Sequence, residues 1–192
     1  MPQNLSRNTA DRGVLILVVG PSGVGKDSMI EGARAALADD PDVVFVRRDI
    51  TRAVDAGGEQ HHAVDDETFR ESEKGGVYAL SWAAHGQSYG IPRSIDAELG
   101  QGRTVVVNAS RAILDTARAR YPRVVVCNII APADVLRRRL AARGRETSAE
   151  VEERVARAGA FSVQGEDVVL IDNGGPLSES VRRLVDVIRS GR

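Results

Sequence analysis

The sequence predicts an α/β fold, a parallel sheet covered by helices on both faces. Three observations carry this expectation. Short β-rich apolar runs alternate with segments of helical period, the pattern of βαβ units. The apolar runs are continuous rather than alternating, as in strands buried on both faces. Aromatic residues make up only 4% of the 192, so the interior has to be aliphatic, built mainly of Val, Leu, Ile and Ala.

The elements follow in order. Residues 14–19, VLILVV, form the first strand and end at Gly20. Glycines at 20, 23 and 25 follow, and helical spacing then runs from 26 to about 37. Residues 43–46 make a second short strand. The stretch from 47 to about 102 is more polar and is broken by Gly57-Gly58 and Gly75-Gly76. It reads as an inserted lobe near 48–95 rather than a separate domain, with a strand at 77–82 and a helix at 92–99. A buried strand at 104–107 closes on Asn108, and a helix at 112–120 precedes the next strand at 124–130. Pro132 opens a helix to about 143, a place where proline's missing N–H is unpaired anyway. A further helix starts after Ser148, with Glu150 and Glu152 in its first turn. Residues 168–171 give a fifth parallel strand, Asn173-Gly174-Gly175 a turn, and 177–188 an amphipathic helix. The polar residues 1–12 read as a disordered tail, which leaves one domain over 13–192.

Composition excludes some functions. Lys and Arg number 26 against 27 Asp and Glu, a net charge of -1, so no global field exists to hold a nucleic-acid backbone. The cations are almost all arginine, with Lys26 and Lys74 the only lysines. A single cysteine, Cys127, rules out an internal disulfide and fits a reducing compartment. No run approaches the roughly 20 apolar residues of a membrane span, and 1–12 has no apolar signal core. The expectation is a cytoplasmic chain with neither nucleic acid nor membrane as partner.

Gly20-Pro21-Ser22-Gly23-Val24-Gly25-Lys26-Asp27 is the strongest signal. Its spacing is that of a phosphate-binding loop, and it sits between a buried strand and a helix, as such loops do. Glycines let the backbone curl so that successive N–H groups point at phosphate oxygens. The helix N-terminus adds partial positive charge, and Lys26 reaches toward β- and γ-phosphates. Asp27 departs from the Ser or Thr usual at its place. A carboxylate is a hard oxygen ligand suited to Mg²⁺, and it is equally an ordinary acidic residue of a helix first turn. Ser28, the next hydroxyl, lies about 100° further round the helix.

The chain resembles the nucleoside-monophosphate kinases, and within them the guanylate-kinase-like branch that holds the ribose 1,5-bisphosphate phosphokinases. The resemblance runs from about 14 to 188. It rests on the loop at 20–27 with its unusual Asp27, on Arg48-Asp-Ile-Thr-Arg52 and Glu59-Gln-His61, and on Leu80-Ser-Trp82 and Tyr89-Gly90. Val105-Val-Val-Asn108-Ala-Ser-Arg111, Arg143-Gly-Arg145-Glu146 and Arg154 complete it. It implies a P-loop NTPase three-layer fold with a substrate-binding lobe and an arginine lid near 139–154. The implied reaction moves the γ-phosphoryl of ATP, with Mg²⁺, onto the 1-phosphate of ribose 1,5-bisphosphate. The product is 5-phosphoribosyl 1-diphosphate, in phosphonate degradation. The partners are then ATP and a small sugar phosphate, and a homodimer is compatible with them.

By the same resemblance, Gly20, Pro21, Ser22, Gly23, Val24, Gly25, Lys26, Asp27 and Ser28 hold the nucleotide, with Asp27 on the metal. Arg48, Arg52, His61, Ser81, Tyr89 and Asn108 face the acceptor. Lys26, Arg139, Arg143 and Arg154 neutralise the transferring group. Arg137, Arg138 and Arg157 read as solvated surface, and Trp82 as core. Guanylate kinase is the near alternative. That family reads guanine with a glutamate where Ser81 stands, and its paired tyrosines correspond to His61-His62. A non-catalytic interaction module is the rival of another class, and the retained Gly20, Gly25 and Lys26 argue against it.

Overall fold

The computed structural model describes residues 13–53, 60–84, 86–144, 147–159 and 162–191, with the side chain of Arg143 excepted. The expected tail at 1–12, and Glu59, Arg145 and Glu146, lie outside the described residues. The strands are β1 (Val14–Val19), β2 (Val43–Val46), β3 (Asp49–Ile50), β4 (His62–Ala63), β5 (Tyr78–Ala84), β6 (Gln87–Pro92), β7 (Thr104–Asn108), β8 (Val124–Ile130) and β9 (Val168–Asp172). The helices are α1 (Lys26–Ala36), α2 (Asp66–Lys74), α3 (Ile95–Gly100), α4 (Leu114–Arg120), α5 (Ala133–Arg143), α6 (Ser148–Gly159) and α7 (Leu177–Ser190).

Five strands form the main sheet in the order β2-β7-β1-β8-β9, all parallel. Every residue of β1 is buried, because the strand is central and covered on both faces. Side chains alternate between those faces. Val14, Ile16 and Val18 pack with Met29 and Ala33 of α1, Leu140 of α5, and Leu184 and Ile188 of α7. Leu15, Leu17 and Val19 pack with Ile95, Leu99, Leu114 and Ala117, and with Leu80 and Ile91 of the lobe. The lobe therefore shares the apolar layer of the main sheet.

The polar stretch is more ordered than the sequence suggests. It holds a second sheet, β4-β3-β6-β5, and the helix α2. Pro92 does not open a helix: it ends β6, opposite Tyr78, and the helix begins at Ile95. The strand β6 is short and carries Gly90 and Pro92, so periodicity does not reveal it. Gly90 is there because a Cβ would stand 2.5 Å from the Tyr78 ring. Arg48 and Arg52 flank the extended pair β3. The helix expected at 112–120 starts with a 3-10 turn at Arg111–Ile113. The cap of α6 is Thr147 rather than Ser148: Thr147 Oγ1 accepts from Glu150 N at 3.4 Å, and Glu150 Oε2 accepts from Thr147 N at 2.7 Å.

The fully buried Leu184 ties α7 to the face of the sheet that also supports α1. Leu184→Ala should cost about 2–5 kcal/mol. Urea unfolding should show a lower midpoint at an unchanged slope.

Candidate active site

The phosphate loop leaves the C-terminal end of the central strand, the place where open parallel sheets bind ligands. Gly20, Gly23 and Gly25 have φ values of 150°, 84° and 96°, which other residues adopt only with strain. Space imposes the same choice. A Cβ on Gly20 would come 2.5 Å from the Ile129 carbonyl oxygen, and one on Gly25 would come 2.5 Å from Asn173 Nδ2. The helix α1 starts at Lys26, and its first-turn N–H groups face the loop end. Lys26 curls back, its Nζ donating to the carbonyls of Gly20 at 2.8 Å and Pro21 at 3.2 Å.

The rear of the loop is braced by side chains. Val24 is buried, and its carbonyl accepts from Asn173 Nδ2 at 2.7 Å and from Arg139 Nη1 at 3.2 Å. Asn173 is itself buried, and its Oδ1 accepts from Ser180 Oγ at 2.8 Å. Arg154 Nη1 donates to Ser22 Oγ at 3.1 Å. Arginines of α5 and α6 therefore both reach the loop. Arg143 lies in the last turn of α5, one helical turn beyond Arg139, before the left-handed Gly144. The other lid arginines pair outward. Arg137 chelates Glu152 at 2.5 and 3.0 Å, Arg138 meets Asp134 at 3.0 Å, and Arg157 meets Glu153 at 3.5 Å.

A cleft opens beside α1, lined by Asp27, Arg34, Arg47, Arg48, Gln60 and Asn108, among others. Asn108, at the end of β7, donates from Nδ2 to Asp27 Oδ1 at 2.8 Å. Ser28 is exposed on α1. Arg48 is buried, with its guanidinium carbon 5.0 Å from the Tyr89 ring centroid and 5.4 Å from that of Trp82. The two rings stack on each other at 5.2 Å and 5°. Trp82 is half-buried: it packs against the core cluster, as expected, and also forms a wall behind Arg48. His61 is buried against Arg52: its Nε2 lies 3.0 Å from the Arg52 carbonyl, and Arg52 Nη2 lies 3.5 Å from its Nδ1. The Nε of Arg52 is buried without a hydrogen-bond partner. Ser81 sits apart from these groups in its bonding, its hydroxyl donating to Glu73 Oε1 at 2.7 Å.

Titration behaviour sorts the remaining groups. Burial, then the hydrogen bond to Asp49, pushes Tyr78 up to about 12. It therefore stays neutral and donates to Asp49 Oδ2 at 3.0 Å. Burial pushes Cys127 up to about 12, so it is no nucleophile. Burial also lowers Arg111 from its usual range, at the turn after β7.

The sequence reading gives Asn173 only as part of a turn and does not single out Ser180. The signal for Asn173 is positional: it follows directly on a parallel strand, where ligand-end residues sit, but the two glycines after it read as a plain turn.

The family model described as guanylate kinase matches residues 12–190, so the chain belongs to the guanylate kinase family of P-loop kinases. The solved guanylate kinase of Anaplasma phagocytophilum has the same fold, with a TM-score of 0.67 over 94% of this chain and 86% of that one, at 20% identity. Within that family the chain belongs with the ribose 1,5-bisphosphate phosphokinases. It is 46% identical over 180 residues to ribose 1,5-bisphosphate phosphokinase PhnN of Rhodopseudomonas palustris, covering 94% of this chain and 90% of that protein. It is 45% identical to the protein of the same name from Pseudomonas fluorescens, covering 93% and 96%. It is also 46% identical to the bifunctional ribose 1,5-bisphosphokinase-thymidine phosphorylase of Cupriavidus necator, where 93% of this chain spans only 30% of that protein.

The brace on Val24 can be cut selectively. Asn173→Ala should raise the Kd for ATP several-fold and cost about 1–3 kcal/mol of stability. Asn173→Asp should weaken ATP binding further, because it sets a carboxylate against the Val24 carbonyl. Calorimetric ATP titration and thermal melts check both.

Proposed function

We propose that this chain phosphorylates the 1-phosphate of ribose 1,5-bisphosphate with ATP, giving 5-phosphoribosyl 1-diphosphate and ADP, as a step of phosphonate degradation. The observation that carries this is the 41–46% identity over nearly the whole length of proteins named for that activity. The guanylate kinase alternative is not favoured, since the solved guanylate kinase is only 20% identical to this chain, against 46% for the Rhodopseudomonas palustris relative.

The chemistry fits the site. The second pKa of a phosphate monoester is about 6, so the acceptor oxygen is already anionic near neutral pH. That oxygen attacks the γ-phosphorus, the β–γ bridging P–O bond breaks, and ADP leaves with the electron pair. No base is needed, and the work is positioning and neutralisation. Lys26 and the backbone N–H groups of 23–27 hold the β- and γ-phosphates. Lys26 exchanges the Gly20 and Pro21 carbonyls for phosphate oxygens, which are stronger acceptors. Arg139 and Arg154, already on the loop, and Arg143 close over the transferring group. Arg52, with its buried unpartnered Nε and its contact to His61, grips the acceptor phosphate together with Tyr89.

The residues also fit a divalent cation. Asn108 occupies Asp27 Oδ1, and no hydrogen bond reaches Oδ2 among the described residues. One hard oxygen donor thus stays available at the loop end, suited to Mg²⁺. Asp27 would hold the ion, directly or through its water, with Asn108 fixing the carboxylate plane; the ion supplies charge neutralisation at the phosphates. The reaction draws on ATP and a sugar phosphate, which places the work in the cytoplasm. Among the described residues no helix is long and apolar enough to cross a membrane.

With ATP and Mg²⁺, turnover of ribose 1,5-bisphosphate should far exceed turnover of GMP. Lys26→Ala should lower kcat by about a hundredfold or more while leaving the fold intact. A coupled assay for ADP release on both acceptors reads each quantity. Preference for GMP, or full activity in Lys26→Ala, refutes the assignment.

A further inference from the structure

The acceptor carries two phosphates, and only one reacts. The unreactive one must lie away from the phosphate loop, because the furanose ring holds the two several ångströms apart. The cleft beside α1 has such a far end. Asp27 and Arg34 are seven residues apart, close to two full turns, so they share one side of α1 about 10 Å apart. Asp27 marks the loop end and Arg34 the distal end, and Arg47 and Arg48 line the same depression.

Arg34 and Arg47 are only partly engaged at this distal end. Arg34 lies with its guanidinium carbon 5.2 Å from the Phe45 ring centroid, which fixes its plane. Its carboxylate partner, Glu31, stands 3.5 Å from Nε, beyond hydrogen-bond geometry. That Nε is buried with no hydrogen-bond partner. Arg47 donates to a neutral acceptor, Gln60 Oε1, at 2.5 Å. Arg48 is held against two aromatic rings. A dianionic phosphate can accept from such planar forks in pairs, which a neutral hydroxymethyl group cannot.

We propose that Arg34, with Arg47 and Arg48 beside it, is the subsite for the acceptor's 5-phosphate, and so selects bisphosphorylated over monophosphorylated sugars. The proposal rests on the ribose 1,5-bisphosphate reading above.

The test is competitive inhibition of ribose 1,5-bisphosphate turnover by two half-substrates. Ribose 5-phosphate offers the distal phosphate alone, and α-ribose 1-phosphate the reacting one alone. Arg34→Gln should raise the inhibition constant of ribose 5-phosphate at least about tenfold and leave that of ribose 1-phosphate and the Kd for ATP unchanged. Arg34→Lys should fall between, keeping the charge without the fork; if Arg34→Gln does not fold, the same asymmetry in Arg34→Lys decides. An equal loss on both inhibitors, or no loss on either, overturns the subsite while leaving the reaction intact. A wild-type enzyme inert toward ribose 1,5-bisphosphate overturns the functional reading first, and the subsite with it.

Discussion

The site depends on where one carbonyl points. The Val24 oxygen is held at the rear of the loop by Asn173 and Arg139. A trans peptide is planar, with its C=O and N–H on opposite sides. Fixing the Val24 carbonyl outward therefore aims the Gly25 N–H inward, at the place a phosphate oxygen takes. Lys26 Nζ takes the carbonyls of Gly20 and Pro21. Once the loop's carbonyls are satisfied from its own protein, its N–H groups are left for an anion. The surrounding elements serve this arrangement. The neighbouring strand β8 crowds Gly20 through Ile129, Asn173 follows β9, and Arg139 comes from α5.

The same logic separates working arginines from surface ones. Arg139 donates at 3.2 Å to a peptide carbonyl that Asn173 also holds at 2.7 Å, so a phosphate oxygen can draw it away while Asn173 keeps the carbonyl in place. Arg137, Arg138 and Arg157 are already paired with carboxylates on exposed helix faces. Recruiting one of them would first break a charged pair. The exposed pairs contribute little stability each, but Arg137 with Glu152 ties α5 to α6, and so keeps Arg139 and Arg154 on one side of the loop.

The main sheet was legible because its central strands are buried on both faces, which forces apolar runs such as 14–19 and 124–127. The loop was legible because its glycines answer a local demand for positive φ. The lobe was not. The strands β3 and β4 are two residues each, and β6 reads QSYGIP, so no period has room to show. Their pairing depends on distant partners, such as Tyr78 with Asp49 across 29 residues. Asn173 was hidden for a similar reason. Its role lies in a bond to a carbonyl 149 residues away, and nothing in its flanking residues records that.

The lobe's chemistry bears on which acceptor fits. A carboxylate suits guanine, whose exposed edge offers an amino donor. By the family resemblance Ser81 stands at the corresponding place, and its hydroxyl proton is committed to Glu73. Arg48 meanwhile brings a permanent cation to the cleft wall, with its stem buried and its plane against Tyr89 and Trp82. The two rings fix the plane of that guanidinium, and a fork held in one plane suits paired donation to phosphate oxygens.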